Sequence, residues 1–155
     1  MRSAPNAARA MLAALSLFSF AASAASAQTG RGGAVIDQRG EGNGAVMVQN
    51  DSSAGAGQRA AIVQRGASNA GRIVQHGAGN TAMLRQSGRN NEGAVIQSGD
   101  GNTGCLIQRG AGLSGALVQT GDGLARAVVQ TRQGAHDVSP HLCSVGAGAH
   151  WGARR

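Results

Sequence analysis

The sequence predicts an all-β fold: a two-sheet parallel β-solenoid with cross-β geometry, made of 11-residue strand–turn units in about 4–5 coils. Three observations predict it. Glutamine recurs at Gln64, Gln75, Gln86, Gln97, Gln108, Gln119 and Gln130, always 11 residues apart, and Gln38 and Gln49 keep the same interval. Two residues before each Gln stands an aliphatic or Met side chain: Ile36, Met47, Ile62, Ile73, Leu84, Val95, Leu106, Leu117 and Val128. After the Gln comes a turn sequence, Gly two positions on and Asn five positions on: Gly40 with Asn43, Gly66 with Asn69, Gly77 with Asn80, Gly88 with Asn91, Gly99 with Asn102.

Each unit opens with a strand. Small, aliphatic and Gln residues at alternate positions share one face of an extended chain. The small position holds Ala34, Ala45, Ala60, Gly71, Ala82, Gly93, Gly104 and Gly115, and is broken by Arg126. The turn follows, with Gly supplying positive φ and Asn expected to take left-handed backbone or bond nearby backbone groups. A helix is excluded because glycines this frequent each cost about 1 kcal/mol in a helix interior. Alternate units then stack, odd on odd and even on even, as two facing sheets with a dry aliphatic interior. Gln and Asn side chains would stack on their own kind about 4.8 Å apart, amide bonded to amide, which satisfies polar groups that are costly to bury alone.

Taken in chain order, residues 1–27 read as a signal peptide: Arg2 and Arg9 precede an apolar run at 10–22, which closes on Ala25-Ser26-Ala27. Residues 28–32 are a lead-in, 33–134 the repeat solenoid, and 135–155 a basic, non-repeat tail. Gln49 and Gln64 are 15 residues apart, so a four-residue insertion falls within 50–58. The last two units degrade: Leu113 and Leu124 replace Asn, and Arg132 replaces the turn Gly.

Composition narrows the function classes. The chain has 26 Gly, no Tyr, both Phe (Phe18 and Phe20) in the leader, and one Trp, Trp151. A thick close-packed core is excluded, while regularly spaced aliphatics argue against disorder. All 14 basic residues are Arg; without Arg2 and Arg9, 12 face 7 acidic residues, a net charge of +5. A basic surface suits anionic partners such as a cell surface or polysaccharide. No aromatic platform accompanies the arginines, which disfavours nucleic acid.

One aliphatic side chain per unit cannot offset the ordering of eleven residues, so a lone unit cannot fold. Stability must come from the units above and below. No Pro or Lys interrupts residues 34–130, so the sheet edges are expected to be weakly protected and both ends open to polymerisation.

The run Gln38-Arg-Gly40-Glu-Gly-Asn43-Gly-Ala45-Val-Met-Val-Gln49 resembles the curlin repeat, Gln-x-Gly-x-x-Asn-x-Ala-x-x-x-Gln. So does Gln75-His-Gly77-Ala-Gly-Asn80-Thr-Ala82-Met-Leu-Arg-Gln86. Units opening at Gln64, Gln86 and Gln97 differ by Gly for Ala at the small position. The resemblance implies a subunit of extracellular, amyloid-like curli fibres, of fimbrium or pilus type. It would be exported by outer-membrane machinery, assemble with itself and other curlin subunits, and support adhesion and biofilm. Basic charge, absence of Tyr and degraded final repeats look more like the minor, nucleating subunit than the major one.

Other residues carry weaker signals. The residue before Gln is expected to face outward, yet is apolar in Val48, Val63, Val74, Ile96, Ile107, Val118 and Val129. Ordinary β-propensity explains this, as does lateral packing between filaments. Cys105, at an outward strand position, and Cys143, in the tail, suggest one disulfide in an exported chain; two thiols would suit export in an unfolded state. His136, His141, Cys143 and His150 match no established metal spacing. Trp151 with Arg154 and Arg155 would suit contact with lipid or an export component, or simple surface exposure. The carboxylates Glu41, Asp51, Asp100 and Asp122 are assigned to turns and Asp37 alone to a strand, so no catalytic constellation is expected, nor any cofactor or metal. The rival to a fibre subunit is a non-polymerising, secreted β-solenoid adhesin. An ice-binding solenoid would need rows of Thr, which is scattered here.

Overall fold

The computed structural model describes residues 32–51 and 56–143. The expected signal peptide, most of the lead-in, part of the insertion, and the tail beyond Cys143 with His150, Trp151, Arg154 and Arg155 lie outside the described residues.

The described chain is a β-solenoid of about four turns. Its strands are β1 (Gly33–Arg39), β2 (Gly44–Asp51), β3 (Arg59–Ala67), β4 (Ala70–Gly77) and β5 (Thr81–Arg89). They continue as β6 (Glu92–Ser98), β7 (Thr103–Ala111), β8 (Ser114–Thr120), β9 (Ala125–Thr131) and β10 (Gly134–Val138), before a 3-10 turn at Pro140–Cys143. Odd strands form one sheet in the order β1-β3-β5-β7-β9-β10, and even strands the other, β2-β4-β6-β8. Pairing is parallel from β1 to β9. The register puts like on like: Ile36 on Ile62, Leu84, Leu106 and Val128, and Met47 on Ile73, Val95 and Leu117.

These two aliphatic columns meet between the sheets. Ile62, Ile73, Leu84, Val95, Leu106 and Leu117 are buried there with Ala60 and Ala82, and Ile36, Ala45, Met47 and Val128 pack against them at the ends. The interior is narrow, which explains the small column. A Cβ on Gly93 would lie 2.8 Å from both Gln108 Oε1 and Leu84 Cδ1.

The end of the solenoid departs from the expected pattern. β10 pairs antiparallel with β9, Ala135 opposite Gln130 and Asp137 opposite Val128, instead of crossing to the four-stranded sheet. The sequence lost its period here because the chain reverses: the unit after Gln130 lacks the turn Gly, and Arg132 stands in its place. The expectation of two open ends is therefore corrected at the C-terminal end of the six-stranded sheet. The carboxylate assignment also changes. Asp51 closes β2, Glu92 opens β6 and Asp137 lies in β10, so Asp37 is not alone within strands.

Candidate self-assembly interface

Gln side chains run as two hydrogen-bonded columns through the interior. In the six-stranded sheet, Gln38 Nε2 donates to Gln64 Oε1 at 2.6 Å, Gln64 to Gln86 at 2.7 Å, Gln86 to Gln108 at 2.8 Å and Gln108 to Gln130 at 2.9 Å. In the other sheet Gln49 donates to Gln75 at 2.9 Å, Gln75 to Gln97 at 2.9 Å and Gln97 to Gln119 at 2.8 Å. Every bond points the same way, from an amide nitrogen to the oxygen of the next coil toward the C-terminus. The columns are therefore polar, with Gln38 and Gln49 oxygens at one end and Gln119 and Gln130 nitrogens at the other.

From Gln64 onward the second N–H of each amide reaches across the interior. Gln86 Nε2 donates to Ala70 O at 2.9 Å, Gln108 to Glu92 O at 2.8 Å and Gln130 to Ser114 O at 2.9 Å, each 16 residues back on the facing sheet. Gln75, Gln97 and Gln119 do the same toward Arg59, Thr81 and Thr103. Thus one side chain stacks the coils and joins the sheets. Asn is one methylene shorter, which accounts for Gln at this column.

The Asn column acts through its side chains. Asn43, Asn69, Asn80, Asn91 and Asn102 donate from Nδ2 to the carbonyls of Gly66, Gly88, Gly99, Gly110 and Gly121, between 2.7 and 3.0 Å. Their Oδ1 atoms accept the backbone N–H of the next residue in the column, Asn69, Asn91, Asn102, Leu113 and Leu124. Gln58, which periodicity did not single out because it lies in the insertion, takes this position in its own coil and donates to Asn50 O and Gly77 O. Its standing directly before Arg59, as Asn80 stands before Thr81, was the signal in the sequence.

The left-handed backbone expected of Asn falls elsewhere. Positive φ is found at the turn Gly, for example 114° at Gly66, and four residues after Gln, at Gly42, Ser68, Gly79 and Asn90. A Cβ on Gly66 would collide with Gly88 O of the next coil. The turn glycines Gly40, Gly66, Gly77, Gly88 and Gly99 thus serve both conformation and the close stacking of turns. Asp100 and Asp122 extend this logic: Asp100 Oδ1 accepts Ala78 N–H and Asp122 Oδ1 accepts Asp100 N–H, both at 2.7 Å.

The two outer faces differ. On the six-stranded sheet, Arg39, Arg65 and Arg109 share the position after Gln, with Ser87 between the latter two. Arg85 stands in the adjacent column, and burial, then Arg65 and Arg109, lower its pKa. The matching position on the four-stranded sheet holds Asn50, His76, Ser98 and Thr120. That sheet carries a shallow trough lined by small residues such as Ala70, Ala94 and Ala116, with Arg72 and Glu92 as its charged members. The apolar residues before Gln divide between exposure, at Val48 and Val118, and burial, at Val74 and Ile107.

The described part of the tail, up to Cys143, folds back over the six-stranded sheet. Cys105 and Cys143 are joined by a disulfide with Cα atoms 5.4 Å apart. Cys105 faces away from the interior, yet it is fully buried with Ala127 and Cys143, against Met83 and Val138. The disulfide removes Cys143 from any metal set with His136 and His141. Arg126, the basic residue in the small column, pairs with Asp137 of β10 at 2.9 Å, and that hydrogen bond raises its pKa.

No curated protein matches the chain. Residues 77–103, which run from the turn after Gln75 to the first residue of β7, match the family model of the curlin associated repeat, and over that stretch the chain is similar to curlins.

Proposed function

We propose that the chain is a subunit of curli-type extracellular amyloid fibres, of the minor, nucleating kind, serving adhesion and biofilm. The observation that carries this reading is the pair of polar Gln columns, in which, among the described residues, the Gln38 and Gln49 oxygens and the outer edges of β1 and β2 have no partner at the N-terminal end. Such an edge is a template for further coils of the same repeat. The match to the curlin associated repeat supports the same partners, namely self and other curlin subunits. Export through outer-membrane machinery and a signal peptide at residues 1–27 belong to the proposal. The arginine stripe supports contact with an anionic cell surface or polysaccharide.

Seeding tests the reading. Residues 28–155, added in small amounts to a fibre-forming curlin-repeat polypeptide, are expected to shorten the lag of thioflavin fluorescence, and the fibres to diffract at about 4.8 Å. An unchanged lag would count against it. The antiparallel closure by β10 favours a second reading, a non-polymerising β-solenoid adhesin, and the same assay separates the two.

A further inference from the structure

The two ends of the solenoid are chemically different. At the N-terminal end the β1 unit keeps every element of the repeat, with Ala34, Ile36, Gln38, Gly40 and Asn43, and β2 keeps Ala45, Met47 and Gln49 ahead of the insertion. Among the described residues no strand pairs with the outer edges of β1 and β2. Because the ladders are polar, the oxygens of Gln38 and Gln49 fit amide donors, which is what the last coil of another such solenoid presents.

At the C-terminal end four observations agree. β10 occupies the outer edge of β9 in the antiparallel sense. Asp137 of β10 pairs with Arg126, which fills a column otherwise small. Leu113 and Leu124 donate their backbone N–H to Asn91 Oδ1 and Asn102 Oδ1 but lack the amide that would hold a following turn. The disulfide to Cys105 pins the tail that carries β10. The sheets also end unevenly, six strands against four, so an incoming coil cannot meet both at once.

We propose that the chain is a one-ended seed: its β1/β2 edge docks the open C-terminal coil of another 11-residue-repeat solenoid, while the disulfide-held β10 cap closes its other end to growth. This rests on the fibre reading, adds direction to it, and narrows its stacking partners from self to other repeat polypeptides. A second intact copy cannot extend the stack, because its C-terminal end is closed as well. Each intact chain therefore occupies a fibre terminus, and elongation proceeds away from its N-terminal edge.

The test uses the full oxidised residues 28–155 with a gold label at the C-terminus. The growing probe is a polypeptide of tandem copies of residues 75–96, which has no cap. Gold is expected at one end of each filament, with mean length falling in inverse proportion to the amount of chain added, and the chain alone giving no filaments. Gold along the shaft, gold at both ends, or long filaments from the chain alone would overturn the proposal and leave the fibre reading intact. Absence of gold from every filament, with an unchanged lag, would overturn both. A variant combining His136→Pro, Asp137→Pro and Cys143→Ser breaks the cap; its gold is expected to move into the shaft, and gold remaining at one end would show that β10 is not what closes the stack. Should that variant not fold, the position of gold on the intact chain still decides the matter.

Discussion

The buried Gln86 amide is tolerable in this interior because both its oxygen and its nitrogen are hydrogen-bonded. Gln86 accepts from Gln64 and donates to Gln108, Ala70 and Asn91, with no solvent exposure. Replacing it with Leu keeps the volume but strands the facing amide groups of Gln64 and Gln108 and takes a donor from the Ala70 carbonyl, and unsatisfied buried groups cost about 1–3 kcal/mol each. Gln86→Leu is therefore expected to lower the stability of the solenoid by about 3 kcal/mol, read as a shift in the urea midpoint. Gln130 sits at the end of its column, half-buried, and Gln130→Leu should cost about 1 kcal/mol or less. Equal costs at the two positions would show that the columns do not act as continuous ladders. The Gln, Gly and aliphatic positions were all legible in the sequence because each repeats with the same neighbours. The reach of each Gln to the facing sheet was not, since it depends on the distance between sheets.

At the scale of elements, β3 to β8 each have a parallel neighbour on both sides or lie beside a strand that does, whereas β10 is held by one edge, an ion pair and the disulfide. The disulfide closes a loop with a sequence separation of 38, for which the chain-entropy account gives about 4 kcal/mol of stabilisation. Reduction is expected to raise amide hydrogen exchange in β10 and at Pro140–Cys143 while leaving β3–β6 protected. Uniform loss of protection would mean that the cap and the solenoid unfold as one unit. β10 was hidden from sequence reading because it carries no repeat: Gly134-Ala-His-Asp-Val138 has no alternation, and its strand state comes from the exposed edge of β9. The burial of Cys105 was hidden for the same reason, since the covering tail lies 38 residues away.

At the scale of the molecule, repetition converts single residues into stripes. Parallel stacking at about 4.8 Å brings Arg39, Arg65, Arg85 and Arg109 onto one face, while the opposite face carries no arginine in the column after Gln. If this face meets an acidic polysaccharide, Arg65→Gln with Arg109→Gln should elute from immobilised heparin at lower salt than the parent chain, because the attraction is screened. Unchanged elution would assign binding to another surface. In an assembled fibre the stripe would continue from subunit to subunit, provided the seed and its partner keep the same handedness and register.

The sequence by itself determined the strand–turn unit, its 11-residue length, the inward columns and the alternation of units between two sheets. These are properties of a period, and a period needs no knowledge of distant contacts. Only the tertiary structure decided the direction of the amide columns, the role of Gln58, the disulfide and the closure by β10. Each of these depends on groups brought together by stacking or by the returning tail, and the free energy that holds them exists only once the coils are already in place.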